Sequence, residues 1–220
     1  MRILALMGLM FLAACAGGQL DRGKAFNQSS ANAVVIMSIT SDGTAGKSPQ
    51  INWAGFEPET RVMNERRQTV FKRSDTSGEA FMERALFGEA RDRAERNYYV
   101  FEVEPGGYFL ESISSTSSWG KVVYTTIYKI QSPSFVVEAG KAYFIGDFHF
   151  TAVRGQNALR PVVGNLQKAK EVLQKDYPKI SVSLIDRPAR IVSLDCPEPR
   201  RTLFGVATKF CAPGTTKVVY

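Results

Sequence analysis

The chain contains 220 residues, of which 44% are hydrophobic and 11% aromatic, and it carries a net charge of +7 at pH 7. These values are ordinary for a globular domain, and the length is enough for one well-filled core. A single histidine and three cysteines leave little material for a metal centre or a nucleophilic site. The sequence also lacks the G-x-S-x-G and H-E-x-x-H motifs of common hydrolases.

The chain starts with the pattern of a bacterial secretion signal. Arg2 precedes an apolar run, Ile3 to Ala14, that is too short to span a bilayer. The residues Leu12-Ala13-Ala14-Cys15 resemble the lipobox of bacterial lipoproteins. That resemblance implies removal of residues 1–14 as a signal peptide and acylation of Cys15. An ordinary signal peptide with an incidental cysteine is the alternative.

Acylation of Cys15 makes membrane lipid the first expected partner. Buried CH₂ groups contribute about 0.8 kcal/mol each, so several acyl chains would anchor the protein permanently. Position 16 is Ala rather than Asp, which resembles Gram-negative lipoproteins that are sent on to the outer membrane. The expected location is therefore the cell envelope, on the periplasmic face of the outer membrane.

Residues 15–32 are predicted to be a lipidated cysteine followed by a flexible tether. The segment is rich in Gly, Ser, Asn and Gln and poor in large apolar side chains. Burial there is too small to offset the entropy lost on ordering. The folded domain is then expected to begin near Ala33.

The stretch from Asn97 to Thr151 has the strongest strand signal. β-Branched and aromatic residues alternate with polar ones, and Pro105-Gly106-Gly107 and Ser132-Pro133 mark turns. We interpret the stretch as a β-meander with a hairpin around Pro105. Several short strands without helices between them predict an antiparallel β-sandwich over residues 33–180, because a parallel sheet would need crossover helices.

Two segments invite a functional interpretation that their context does not support. Gly46-Lys47-Ser48 follows a strand, but a P-loop needs a glycine where this chain has Ser41 and a helix where it has Pro49. A polar hairpin loop is expected there instead. Residues 78–96 have apolar side chains at helical spacing and interleaved charges, which predict a solvated helical face without a site.

Two turn motifs resemble a known class of module. Pro105-Gly106-Gly107-Tyr108-Phe109-Leu110 and the run from Ala139-Gly140 through Tyr143 to Gly146 are similar to the strand-opening turns of transthyretin-like, or prealbumin-like, β-sandwiches in bacterial envelope proteins. The resemblance covers about a quarter of the chain and implies fold rather than a catalytic site. Gly146, within an aromatic strand, also predicts a bulge or a close backbone approach.

Asp147 and His149 lie on one face of a predicted strand, and His149 is the only histidine. A metal or acid–base site would need further ligands or a nucleophile. We therefore expect a structural role for both, and we predict no catalytic residue, no metal and no cofactor.

The last third of the chain changes character. Asn165 is predicted to cap an amphipathic helix near residues 165–177, whose apolar stripe should face the sandwich. Residues 181–220 contain three strand-like pieces that should pack on the same domain. With Cys15 acylated, Cys196 and Cys211 are the two cysteines left, and an oxidising envelope favours a disulfide that closes a terminal hairpin.

Positive charge is concentrated in this last third. Residues 151–220 hold 12 Lys+Arg and 5 Asp+Glu, whereas residues 1–150 hold 16 of each. Anionic lipid or lipopolysaccharide is therefore a candidate partner, and nucleic acid is not expected for an exported protein. The residues predicted to contact an anionic surface are Lys168, Lys170, Lys175, Arg200 and Arg201. A basic surface that only aids solubility explains the same charge.

Two function classes remain at this point. The preferred one is a non-enzymatic lipoprotein that binds or scaffolds a partner at the membrane surface, such as another envelope protein. The alternative is an envelope enzyme or hydrolase accessory domain whose site residues are scattered in the sequence.

Overall fold

The computed structural model describes residues 20–41, 49–71, 97–116, 123–153, 156–202, 204–205 and 207–220. These residues form fourteen strands and one helix. The strands are β1 (Ala33–Ser41), β2 (Gln50–Phe56), β3 (Met63–Phe71), β4 (Asn97–Val103), β5 (Gly106–Thr116), β6 (Val123–Ile127), β7 (Ser132–Val137), β8 (Ala142–Val153), β9 (Gln156–Val162), β10 (Leu184–Asp186), β11 (Arg190–Asp195), β12 (Pro199–Arg201), β13 (Ala207–Cys211) and β14 (Lys217–Val219), and the helix is α1 (Leu166–Asp176).

The strands assemble into two sheets and a separate hairpin. Sheet I has the order β10-β8-β1-β4, with β9 also paired to β8. Sheet II has the order β14-β11-β7-β5-β2-β3, with β6 also paired to β5. Strands β12 and β13 form an antiparallel hairpin of their own. The predicted mainly β fold with antiparallel sheets is thus confirmed.

Sheet I also contains two parallel pairs, β1 with β8 and β10 with β8. Parallel pairing needs a long connection between the two strands. Most of sheet II lies between β1 and β8 along the chain, and α1 lies between β8 and β10. Strands of the other sheet therefore form part of the first of these connections.

Three apolar clusters give the domain its layers, because side chains alternate across each strand. The central cluster lies between the sheets and includes Trp53, whose ring meets Phe135 edge-on at 5.1 Å. The outer face of sheet I packs against Leu173 of α1. The outer face of sheet II packs against Cys211 of β13. The helix and the β12–β13 hairpin therefore lie on opposite faces of the sandwich.

A β-bulge keeps both halves of β8 in register with the core. Gly146 has a φ of 111°, and the pairing of β8 with β1 shifts at this point. The extra residue lets Ile145 and Phe148 both face the central cluster, and it places Asp147 opposite Ser38 of β1. The predicted bulge is thus confirmed.

Two predicted hairpins are wrong, because the strands concerned lie in different sheets. Strand β4 pairs with β1, whereas β5 pairs with β2, β6 and β7. The turn at Pro105 therefore carries the chain from one sheet to the other. Strands β1 and β2 are also in different sheets. Residues 46–48, and the helix predicted within residues 78–96, lie outside the described residues.

The segment from residue 20 to residue 32 packs against the domain, so the prediction of a flexible tether is wrong for this part. The Leu20 N–H donates to Val100 O at 2.6 Å, and Phe26 forms a parallel bridge with Ile180. Leu20 and Phe26 are buried in the cluster beneath α1. Two large apolar side chains thus stabilise a stretch that is otherwise polar, and the packed domain extends back to Leu20.

The predicted helix and disulfide are both confirmed. Asn165 caps α1 by accepting a hydrogen bond from the Lys168 N–H at 3.0 Å. Cys196 and Cys211 form a disulfide. Because Cys211 pairs with Pro199, this bond closes the β12–β13 hairpin at its base.

Candidate functional site

The residues predicted to contact an anionic surface fall into two separate groups. Lys168, Lys170 and Lys175 lie on α1, which covers sheet I. Arg200 and Arg201 lie on β12, on the far side of sheet II. The structure therefore offers two basic surfaces on opposite faces instead of one.

The first of these, the helix surface, consists of Lys168, Lys170 and Lys175. All three side chains are exposed. Lys168 Nζ lies 3.0 Å from Glu171 Oε2, and both groups are half exposed, so this pair contributes little to stability. Because Glu171 and Asp176 stand among the lysines, the helix itself carries a net charge of only +1.

A groove of about 540 Å³ adjoins the helix surface, between the second half of α1 and residues 177–184. Leu173 and Ile180 form apolar walls, while Ser181 and Ser183 add hydroxyl groups. Lys170 also lines it. The groove thus places one cation beside a small, partly apolar surface.

The second basic surface is on the hairpin, and its two arginines differ in role. Arg200 Nη2 lies 2.8 Å from Glu111 Oε1 of β5, and Arg67 Nε lies 3.4 Å from the other oxygen of the same carboxylate. Burial lowers the pKa of Arg67, and the nearby Arg200 lowers it further, while Glu111 opposes both effects. Arg200 thus binds the hairpin to the sheet, and only Arg201 is exposed.

The sequence interpretation missed an exposed aromatic side chain of this hairpin. Phe204 is 93% exposed, and it lies in the turn between β12 and β13. Arg201 precedes it and Lys209 follows it, and both are exposed. A large apolar residue between two cations, in the segment between Cys196 and Cys211, was the sequence signal that could have identified it.

Asp147 and His149 both have partners on β1. Asp147 accepts hydrogen bonds from Ser38 Oγ at 2.6 Å and from the Asn165 N–H at 3.1 Å. His149 Nδ1 lies 3.1 Å from Thr40 Oγ1. Within the described ranges, no group of three or more His, Cys, Asp or Glu residues could hold a metal ion. These contacts join strands and the start of α1.

Comparisons of this chain with protein-family models, curated proteins and solved structures find no match. The resemblance to transthyretin-like modules therefore stays a prediction. In the part of the chain that the structure describes, no helix is long and apolar enough to cross a membrane. Cys15 lies outside that part.

Proposed function

We propose that this protein is a lipid-anchored lipoprotein of the bacterial envelope, held through acylated Cys15 at the periplasmic face of the outer membrane. Its β-sandwich, of the transthyretin-like kind, binds or scaffolds a partner at the membrane surface and does not catalyse a reaction. The observation that carries the anchor is the sequence Leu12-Ala13-Ala14-Cys15 after a short apolar run.

The packing of residues 20–32 supports a close attachment. Leu20 is bonded to β4, and only five residue steps separate it from Cys15. A chain of that length spans at most about 18 Å. The acyl chains would therefore hold the domain within a few nanometres of the lipid, close enough for its surface charges to orient it.

The polar contacts of the domain support a non-enzymatic role. Asp147, His149 and Glu111 are the side chains that a hydrolytic mechanism would draw on first. Each of them bonds to neighbouring strands or to the hairpin in the described structure. Their arrangement is that of groups that stabilise a fold.

Fatty-acid labelling in a Gram-negative host tests this function. The wild-type chain should take up a labelled fatty acid and sediment with the outer membrane, and Cys15→Ser should lose both properties. The double variant Cys196→Ser, Cys211→Ser is the matched control, because it removes the two other cysteines but should keep its label. Uptake of label by the Cys15→Ser chain would contradict the anchor.

A further inference from the structure

The β12–β13 hairpin is closed at its base and paired with sheet II. The Cys196–Cys211 disulfide closes its base, where the Ala212 N–H also donates to Glu198 O at 3.2 Å. Higher up, Arg200 pairs with Glu111 of sheet II. A hairpin that is closed at its base and paired with sheet II presents its turn in a defined position.

The turn itself holds an aromatic side chain in solvent. The Gly205 N–H donates to Thr202 O at 2.9 Å, and Arg201 Nη1 donates to Gly205 O at 3.2 Å. These two bonds close the backbone around Phe204, which is 93% exposed. A single exposed apolar residue is common on proteins, so the charges around it decide what it can contact.

Those charges all have the same sign. Residues 199–211 contain Arg200, Arg201 and Lys209 and no acidic residue. Glu111 neutralises Arg200, while Arg201 and Lys209 are exposed. The helix surface differs in the sign of its charges, because its exposed lysines alternate with Glu171 and Asp176.

We propose that this hairpin tip, made of Arg201, Phe204, Gly205 and Lys209, inserts into the surface of an anionic bilayer. The ring of Phe204 would enter the boundary between headgroups and acyl chains, and the two cations would contact lipid phosphates. An apolar side chain with adjacent cations suits such an interface, and it needs no complementary pocket. The inference rests on the proposed function, since an anchored protein meets this surface continuously.

The anchor leaves the tip able to reach the bilayer. Leu20 is bonded to β4, an edge strand of sheet I. Strand β4 lies beside β3, the edge strand of sheet II, and Arg67 of β3 is paired to the same Glu111 as Arg200. The anchored side and the hairpin face therefore meet along the β3–β4 side of the sandwich.

Vesicle sedimentation tests the proposal on a chain that cannot be acylated. The mature chain expected from the lipobox, residues 15–220 with Cys15→Ser, is mixed at low salt with vesicles of phosphatidylcholine alone or with phosphatidylglycerol added. We expect binding to the anionic vesicles only. Phe204→Ser should lower the partition coefficient about tenfold, and Arg201→Glu should lower it by at least as much and reduce its salt dependence.

Two variants outside the hairpin serve as matched controls, one at Val163 in the connection between β9 and α1 and one at Lys168 on the helix surface. Val163 is 92% exposed, so Val163→Ser removes a comparable apolar side chain, and Lys168→Glu reverses a comparable charge. Both should bind like the parent. Because all four positions are exposed, circular dichroism should show an unchanged fold in each variant.

Several results would overturn the proposal. One is a parent chain that ignores both kinds of vesicle, and another is a Phe204→Ser variant that binds as the parent does. Loss of self-association in Phe204→Ser, with vesicle binding unchanged, would make a second copy of the chain the occupant. These outcomes are independent of fatty-acid labelling at Cys15. The experiments therefore distinguish failure of the proposed lipid anchor from failure of the proposed insertion of the hairpin tip.

Discussion

Asp147 shows how a single buried residue joins three elements. It belongs to β8, it accepts a hydrogen bond from Ser38 of β1, and it accepts another from the backbone of Asn165. Asn165 in turn caps α1. The carboxylate therefore fixes where the helix begins relative to sheet I.

Replacing Asp147 with alanine should destabilise the domain strongly. The buried Ser38 hydroxyl and the partly buried Asn165 N–H would lose their acceptor, and each unsatisfied buried donor costs about 1–3 kcal/mol. We expect the free energy of unfolding in urea to fall by about 3 kcal/mol. Asp186→Ala, at an exposed position of β10, should change it by less than about 0.5 kcal/mol. Equal effects of the two variants would show that Asp147 has no such role.

At this scale the sequence predicted residue types better than their partners. Asn165 and the two C-terminal cysteines could be assigned because caps and disulfides depend on local pattern or on simple arithmetic. The role of Arg200 could not, since Glu111 lies 89 residues earlier in the chain. Phe204 was overlooked because the exposure of a side chain depends on whether other segments of the chain cover it, and the local sequence does not show this.

The segment from Leu20 to Asn32 is the element whose structure differs most from expectation. Its composition favours disorder, but Phe26 is only 2% exposed and pairs with Ile180. Composition averages over a segment, whereas two well-placed apolar residues are enough to dock it.

Removing the Phe26 ring tests this docking. Phe26→Ala should lower the free energy of unfolding by about 3–5 kcal/mol, because a buried aromatic side chain leaves a cavity. Phe204→Ala is the matched control, and its effect should stay below about 0.5 kcal/mol. Both free energies are measured by denaturant unfolding, and the dependence of the free energy on denaturant concentration should be the same for the two variants. A negligible effect of Phe26→Ala would restore the flexible tether.

The disulfide makes a prediction for the terminal hairpin. Its cysteines are 15 residues apart, and in the chain-entropy model a closed loop of that length contributes about 3 kcal/mol. Replacing both cysteines by serine should therefore reduce stability by about that amount. Alkylation of the denatured, unreduced mature domain should add no label at Cys196 or Cys211 by mass measurement. Two labels would rule out the bond in the native protein.

Strand positions were predictable, but strand pairing was not. Alternation and turn residues located β5, β7 and β8 to within a few residues. The turn at Pro105 looks the same in sequence whether it joins neighbouring strands or crosses between sheets. Pairing depends on contacts distant in the chain, such as those of β1 with β8, and local pattern does not encode them.

On the scale of the whole molecule, the sandwich separates its two basic surfaces. The central cluster and both sheets lie between α1 and the hairpin. The total charge of +7 is therefore not concentrated on one binding face. The charge asymmetry of the last third was visible in sequence, but its division between two faces follows from the layers.

The separation of the two basic surfaces predicts which of them makes vesicle binding dependent on salt. If the hairpin tip provides the contact, vesicle binding by the unlipidated chain should weaken as ionic strength rises, because charges are screened over about 8 Å at physiological salt. Arg201→Glu should reduce that dependence, and Lys168→Glu should leave it unchanged. Sedimentation across a salt series measures both.

The proposed function requires that the mature protein begins with an acylated Cys15. The most direct measurement is the mass of the amino-terminal tryptic peptide, which should run from Cys15 to Arg22, in protein purified from a Gram-negative host. We expect a peptide that starts at Cys15 and carries the added mass of fatty acyl and glyceryl groups. A peptide that starts elsewhere, or one in which Cys15 is unmodified, would contradict it.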